Sequence, residues 1–200
     1  MPRFNLATNT VLNIRYRQMA PMNQGNQNII YGPGALAKLD TAWAVTTIGA
    51  TNTYTGGTFV EAGTIRLVGG FLYQQPEIYV EGQIGPGLLS VATSATFDLN
   101  GIDQTVSALH GAGTVQLADA TLTATNGVSP GTNSIGTLTV AGAGALNISG
   151  SRSRFEFSAD PGVFDRVVFS GAADLRLGGV LEIAAPEGFI EYGTGRYKIF

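Results

Sequence analysis

A five-residue pattern that recurs along most of the chain constrains its fold more than any other feature. In each copy a small residue, often in Gly-Thr or Ala-Thr, precedes an apolar residue, any residue and a second apolar residue. Because successive side chains of a β-strand point to opposite faces, each copy predicts a short strand with two apolar side chains on one face. The copies are GTIRL (63–67), ATFDL (95–99), GTVQL (113–117), ATLTA (120–124), GTLTV (136–140), GALNI (144–148), SRFEF (153–157), DRVVF (165–169), ADLRL (173–177) and GVLEI (179–183).

The apolar pairs of these strands are predicted to form one shared core. Each strand is too short to bury its pair alone, so neighbouring strands must stack, which is typical of a solenoid. The predicted inward pairs are Ile65 with Leu67, Phe97 with Leu99, Leu138 with Val140, Leu146 with Ile148, and Leu181 with Ile183, and the residues expected to face solvent between them are Arg66, Asp98, Thr139, Asn147 and Glu182.

A β-sandwich or a barrel is the alternative architecture, since both are built from regularly spaced short strands. Sandwich strands are usually joined by tight hairpins, for which only Asn100-Gly101 and Asn126-Gly127 qualify here. No sustained apolar stripe has helical spacing. The sequence therefore favours an all-β solenoid with about 20 residues per coil, which gives about eight coils and a rod about 40 Å long for residues 32–200.

The composition excludes several kinds of site. Charged residues make up only 12% of the chain, and glycine accounts for 28 of its 200 residues. The absence of cysteine excludes disulfides, thiolate metal sites and cysteine nucleophiles. Arg3, Arg15, Arg17 and Lys38 are spread over the first 39 residues, so a solvated segment is favoured over an arm that binds nucleic acid or a membrane. The chain as given shows no signal peptide and no apolar stretch long enough for a transmembrane helix.

Two segments near the start of the solenoid resemble the passenger-associated transport repeat of bacterial autotransporters. They are GPGALAK (32–38) and GATNTYTGGTFVEAGTIRL (49–67). The repeat reads Gly-x-Gly-x-Leu-x-Lys, then Asn-Thr-Tyr-Thr-Gly-Gly-Thr, then Gly-Thr-Leu. In the second segment, the Gly56-Gly57 pair is interpreted as a corner leading into a coil, followed by strands at Thr58–Val60 and Thr64–Leu67.

Three further segments are similar to elements of the same family and follow in its order: FDLNGIDQTVSALHGAGTVQL (97–117), VSPGTNSIGTLTVAGAGALNI (128–148) and FDRVVFSGAADLRLGGVLEI (164–183). By this resemblance the chain is identified as a passenger domain of an autotransporter, a type V secreted protein. The expected fold is a pertactin-like, right-handed parallel β-helix that forms a single elongated domain. It is expected to span residues 32–200, after an irregular or N-terminal edge segment at residues 1–31.

The resemblance also implies a location and a role. The protein would be secreted or displayed on the bacterial cell surface, in association with the outer membrane, and would be virulence-associated. Its partner would be a cognate outer-membrane β-barrel translocator, which is missing from this chain, so the chain is expected to be a fragment. The expected role is a structural stalk that supports export and display of a distal region. The alternatives are an adhesin-type module for host or glycan surfaces, and part of a β-helix or subtilase-type enzyme whose catalytic residues lie elsewhere.

The sequence does not support a catalytic, cofactor-binding or metal-binding site. His110 is the only histidine, and a triad with Ser107 and Asp103 would have to form within one small segment, so His110 is interpreted as a turn residue. Paired acids can act in glycosidases, but here they are interpreted as surface charges that favour solubility. The pairs considered are Asp98 with Asp103, Glu77 with Glu81, and Asp160 with Asp165.

Five aromatic residues are candidates for a surface on which sugars stack. They are expected instead to pack into the coils or cap them. The glycine-rich GPGAL and GAGTV segments do not open a helix, so they are not predicted to bind phosphate. The aromatic residues are Tyr54, Tyr73, Tyr79, Trp43 and Phe71.

Overall fold

The structure is a computed structural model, and it describes residues 3–14, 29–39, 44–72, 78–132, 134–148, 152–160 and 162–185. Within these ranges the chain forms strands and no helix, which confirms the predicted all-β class. The strands are β1 (Arg3–Asn5), β2 (Val11–Ile14), β3 (Ile29–Gly32), β4 (Ala35–Lys38), β5 (Val45–Ile48), β6 (Thr53–Tyr54), β7 (Thr58–Val60), β8 (Thr64–Leu67), β9 (Gly69–Leu72), β10 (Ile78–Glu81), β11 (Leu89–Val91), β12 (Thr96–Asp98), β13 (Gln104–Val106), β14 (Leu109–Gly111), β15 (Thr114–Gln116), β16 (Thr121–Ala124), β17 (Val128–Pro130), β18 (Thr137–Ala141), β19 (Gly144–Ile148), β20 (Arg152–Glu156), β21 (Arg166–Ser170), β22 (Ala173–Leu177) and β23 (Val180–Ala184).

The strands stack into parallel sheets. Sheet I has the order β2-β4-β7-β11-β14-β17, and sheet II has the order β5-β8-β12-β15-β18-β21. A three-stranded sheet β1-β3-β6 is called sheet IIIa, and a four-stranded sheet β13-β16-β19-β22 is called sheet IIIb. Strand β20 pairs with β23 in parallel, and β9 pairs with β10 as an antiparallel hairpin.

The chain visits these sheets in a repeating order, which confirms the predicted parallel β-helix. Strands β3, β4 and β5 lie in sheets IIIa, I and II, and β6, β7 and β8 follow in the same sequence. Later, β13, β14 and β15 lie in sheets IIIb, I and II, and β16, β17 and β18 repeat that order. Strands β1 and β2 fall in the segment predicted to precede the β-helix, and they pair in parallel with β3 and β4.

Every copy of the five-residue pattern lies on a strand, and four of the five predicted inward pairs are buried in the core. In sheet II, Ile65, Phe97, Val115 and Val140 occupy paired positions on successive strands, and none is exposed. Burying a side chain of this size stabilises the fold by roughly 1.5–3 kcal/mol relative to leaving it exposed. The core therefore grows by one layer with each strand that is added.

The prediction for the last pair was wrong. Leu181 is 49% exposed and Ile183 is 45% exposed. Both lie on β23, which pairs with β20 on one edge, and no strand among the described residues covers its other edge. Inward side chains of a stacked fold are buried only when layers lie on both sides of them.

The Gly56-Gly57 corner was predicted correctly, because β7 begins directly after it and β8 follows with the expected bounds. Gly57 has a φ of +102°, a conformation that L side chains rarely adopt. A Cβ on Gly56 would lie 2.6 Å from the carbonyl carbon of Gly34, on the neighbouring coil. The two glycines thus serve the turn and the close stacking of coils.

Within the described ranges, no helical segment has the length and apolar character needed to cross a bilayer.

Candidate binding groove

A polar groove of about 480 Å³ opens between sheets IIIa and IIIb. Its lining comes from positions far apart in sequence, at β6, at residues 83–86, and at β13 and β16. Threonine dominates this lining. The threonines are Thr51, Thr53, Thr105, Thr121 and Thr123.

The groove exists because one coil has no strand at this position. After β8 the chain leaves the stack as the β9–β10 hairpin and returns at Gly82, whose N–H donates to Val68 O at 3.0 Å. On its return it forms only an isolated bridge between Thr51 and Gln83. The sheet is therefore interrupted between β6 and β13, and the interruption leaves space between them.

On one side of the groove, the side chain of Asn52 makes hydrogen bonds in place of part of the missing strand pairing. The side chain is buried at 4% exposure, and its Oδ1 accepts a hydrogen bond from Ile30 N at 2.8 Å. Its Nδ2 donates to Ala50 O and to Gln83 O, both at 2.8 Å. One amide thus links β3 and the segment before β6 to Gln83, in the coil that has no strand at this position.

Gln104 has the corresponding role on the other side. It is buried at 5% exposure, and its Oε1 accepts a hydrogen bond from Ile84 N at 3.1 Å. Its Nε2 donates to Thr105 O at 2.8 Å and to Ile84 O at 3.4 Å. Neither the role of Asn52 nor that of Gln104 was predicted from the sequence. The signal that could have indicated the role of Gln104 is an amide at an inward position of a strand.

The hydroxyl groups of the lining are mostly unused by the protein. Thr51 Oγ1 donates to Glu81 O at 3.2 Å. The hydroxyls of Thr53, Thr105, Thr121 and Thr123 make no hydrogen bond to the described part of the chain. These groups can both donate and accept, so they are available to water or to a ligand.

Among the described residues that line the groove, Asp103 is the only charged one. Its Oδ1 accepts a hydrogen bond from the backbone N–H of Thr121 at 2.7 Å. The other candidate partner, Asp98, lies elsewhere, at the end of β12 in sheet II. The structure therefore does not bring these two acids together as a glycosidase pair.

The prediction that Asp98 faces solvent was wrong. Its exposure is 6%, because Arg66 covers it and donates from Nε to Asp98 Oδ2 at 2.6 Å. Asp98 Oδ1 accepts a hydrogen bond from Asn100 N at 2.9 Å. Among the other residues expected to face solvent, Arg66 is exposed, and Thr139, Asn147 and Glu182 are half-buried.

The remaining acid pairs do not form a reactive site in the described chain. Asp165 is fully buried and accepts hydrogen bonds from Gly136 N at 2.7 Å and Glu156 N at 2.8 Å. Burial raises the pKa of the Asp165 carboxyl above its usual value, and the two backbone donors oppose this shift. Asp160 is exposed in a turn, Glu81 is exposed on β10, and Glu77 lies outside the described residues.

His110 lies on a strand, so the interpretation as a turn residue was wrong. It is the middle residue of β14, where it pairs with Ser90 and Ser129. Partial burial lowers the pKa of its imidazole. No hydrogen bond joins His110 to Ser107 or Asp103 within the residues that the structure covers. The described chain also contains no group of three or more His, Cys, Asp or Glu residues that could hold a metal ion.

The aromatic residues considered for sugar stacking differ in their burial. Tyr54 is completely buried, as expected for a residue that packs into a coil, and its hydroxyl lies 2.6 Å from Thr58 Oγ1. Tyr79 is 55% exposed on the hairpin. Trp43 and Tyr73 lie outside the described residues, and the structure describes only the backbone of Phe71.

Comparison with known proteins found a similarity to an autotransporter adhesin. The chain is similar to the Adhesin BmaC autotransporter of Brucella suis biovar 1 (strain 1330), with 36% identity over 129 residues. The match covers 62% of this chain and 3% of that protein. The chain therefore spans only a small part of the length of this relative. No protein-family model matches the chain, and no solved structure matches it.

Proposed function

We propose that this chain is a stalk segment of an autotransporter passenger, secreted or displayed at the bacterial surface. The observation that carries the proposal is a stack of parallel strands in a chain similar to an autotransporter adhesin. Six strands spaced at about 4.8 Å extend about 24 Å across sheet I or sheet II. Such a stack gives length and stiffness, which a stalk needs in order to hold a distal region away from the cell.

The same stack supports a role in export. Each strand pairs with its neighbour in the next coil, and each coil adds buried side chains such as Leu109 and Leu122 to the core. Folding can therefore proceed coil by coil as the chain emerges from a pore, and each added layer opposes its return. The partner in this process would be a cognate outer-membrane β-barrel translocator.

Surface display of a fusion protein would test the stalk proposal. The chain is placed between an epitope tag and an autotransporter translocator in a Gram-negative host, behind a secretion signal. We expect the tag to reach the surface, where added protease releases it. Leu109→Asp, which places a charge in the core, should reduce display, whereas Thr114→Ser on the outer face of β15 should not. Equal display of the two variants would contradict a contribution of this fold to export.

We also propose that the segment has no catalytic activity of its own. The proposal is supported by the separate positions of Asp98, Asp103 and His110, which lie in different sheets or at their margins. The purified chain should show no turnover of acidic polysaccharides. Measurable turnover that tracks with the folded chain would overturn this proposal.

A second candidate function is adhesion, and the groove between sheets IIIa and IIIb favours it. This groove is polar, is lined by unused hydroxyls, and occurs in a chain whose relative is named an adhesin. Beads coated with the purified chain should bind to host cells more strongly than beads coated with an unrelated β-solenoid. Binding no stronger than that control would count against adhesion by this segment.

A further inference from the structure

We propose that the groove between sheets IIIa and IIIb binds an uncharged oligosaccharide. The proposal deepens the second candidate function and rests on it, because it assigns a site and a ligand class to adhesion. It does not depend on the stalk function.

Part of the groove backbone, at residues 83 and 84, is already hydrogen-bonded. Gln83 N donates to Ala50 O at 3.0 Å, and Gln83 O accepts from both the backbone and the side-chain amide of Asn52. The N–H and C=O of Ile84 are both bonded to the Gln104 amide. A peptide strand added along residues 83 and 84 would find no free backbone partners there, and β-strand addition requires such partners.

What the groove offers instead is an array of side-chain hydroxyls. Thr105 pairs with Thr123 across adjacent parallel strands, so their side chains are about 4.8 Å apart. Thr121 lies two residues before Thr123 on the same face of β16, at a distance of about 6.6 Å along the strand. With Thr53 on the opposite side, the hydroxyls form a two-dimensional set of groups that donate and accept. Sugar hydroxyls have the same dual character.

The charge of the groove lining disfavours anionic ligands and attracts cationic ligands only weakly. None of its described lining residues is Lys or Arg, so these residues offer no counter-ion to an anionic sugar or a phosphate. Asp103 is a single exposed carboxylate, and one of its oxygens already accepts from Thr121 N. An isolated surface charge of this kind contributes little to binding a cationic peptide. An uncharged ligand fits this balance best.

The groove is also rigid. Thr105, Thr121 and Thr123 lie on strands, and buried amides hold the segment between β10 and β11. Little ordering of the protein is then needed on binding, which favours recognition of an uncharged ligand held mainly by hydrogen bonds. The described lining residues include no aromatic ring, so hydrogen bonds must supply most of the specificity that these residues provide.

The test uses the whole chain on an array of uncharged oligosaccharides of hexose and N-acetylhexosamine, with acidic oligosaccharides on the same surface. The best uncharged ligand is then titrated against wild type, Thr105→Val and Thr123→Val, which keep the side-chain shape but remove the hydroxyl. Thr96→Val on the outer face of sheet II is the matched control, since Thr96, like Thr123, is a half-buried strand threonine. Thermal unfolding confirms that all variants are folded.

We expect each groove variant to weaken binding by about threefold to tenfold, the effect of one lost hydrogen bond. Thr96→Val should leave the dissociation constant within about twofold. Failure to bind any uncharged oligosaccharide would overturn the proposal, as would equal affinities for the groove variants and the control. Loss of binding in Asp103→Asn, with unchanged affinity in both threonine variants, would show that the carboxylate and not the threonine hydroxyls holds the ligand, and would also overturn the proposal.

Bead adhesion separates this inference from the adhesion function. If wild type and groove variants adhere equally, adhesion stands and the groove assignment is wrong. If the groove binds sugar as expected but beads do not adhere, the groove assignment stands and adhesion by this segment is wrong.

Discussion

Replacing Asn52 by alanine removes the amide that joins the chain where the sheet is interrupted. The buried Ile30 N–H loses its acceptor at 2.8 Å. Ala50 O and Gln83 O each lose one donor, but each keeps a backbone donor, since Gln83 N bonds to Ala50 O and Asn52 N bonds to Gln83 O. The main loss is therefore one unsatisfied buried donor, accompanied by two weakened acceptors.

The size of the effect follows from these three contacts. A buried donor left without a partner costs about 1–3 kcal/mol, and each weakened acceptor costs less than about 1 kcal/mol. We expect Asn52→Ala to lower the free energy of unfolding by about 2–4 kcal/mol. Single domains are stable by only about 5–15 kcal/mol, so a loss of this size is easily measured.

The assay is urea unfolding followed by circular dichroism, with Asn126→Ala as the control. Asn126 is exposed in a turn, and its substitution should change the free energy of unfolding by less than about 0.5 kcal/mol. Equal losses in the two variants would refute the role assigned to Asn52.

Asn52→Asp tests the direction of the hydrogen bonds. It keeps the acceptor for Ile30 N but places a carboxylate oxygen against the carbonyl oxygens of Ala50 and Gln83. This variant should be at least as unstable as Asn52→Ala at neutral pH and should recover as the pH falls, because protonation restores one donor. Stability that is independent of pH would show that the carbonyl contacts are not significant.

Three further predictions concern the turns and the buried titratable groups. Gly111→Ala should lower the free energy of unfolding by about 1–3 kcal/mol, because Gly111 has a φ of +106° and a Cβ would overlap Val91 O; an unchanged melting temperature would contradict this. Burial raises the pKa of Tyr54 from 10.0 to about 12, so the stability that its protonated hydroxyl contributes is fully present below pH 10.0 and is lost as the pH rises through about 12. Tyr54→Phe should remove this loss of stability at alkaline pH, which is measured by unfolding at a series of pH values. The variant should also lose about 1 kcal/mol of unfolding free energy at pH 7, because Thr58 Oγ1 is left without its partner. A variant whose stability falls at alkaline pH as it does in wild type would disprove the role of Tyr54. The pKa of Asp165 is raised above 3.8, so its stabilising contribution is fully present below pH 3.8 and decreases as the pH rises through the folded-state pKa. Asp165→Ala should therefore destabilise the protein more in acid than at neutral pH, and the opposite order in urea unfolding would show that the hydrogen bonds outweigh burial.

The sequence determined the elements of this fold because they depend on local alternation. Pairs such as Phe97 with Leu99 and Leu146 with Ile148 could be placed in the core without knowledge of their neighbours, and the structure buries all four residues. The Gly56-Gly57 corner could also be predicted from the local sequence, since glycine is the residue that tolerates its backbone conformation. The order of motifs indicated an autotransporter passenger, and the similarity to an autotransporter adhesin agrees with that indication.

Only the tertiary structure determined which residues deviate from the burial that their strand position predicts. Asp98 occupies an outward position, yet Arg66 arrives from the preceding strand of sheet II and buries it. Leu181 has the alternation of a core residue but is exposed, because burial also requires a layer on either side. The local alternation of residues predicts the face of the strand on which a side chain lies. The solvent exposure of that side chain depends on which residues of the neighbouring coils cover it.

The groove could not be predicted for the same reason. Thr53, Gln83, Thr105 and Thr123 come from four separate segments, and parallel pairing brings them to one place. Asn52 resembles an ordinary turn residue in the sequence, and its role arises only because a strand is missing beside it. The alternation of side chains is a property of each strand, but the register between coils and the gap in a sheet are properties of the assembled stack.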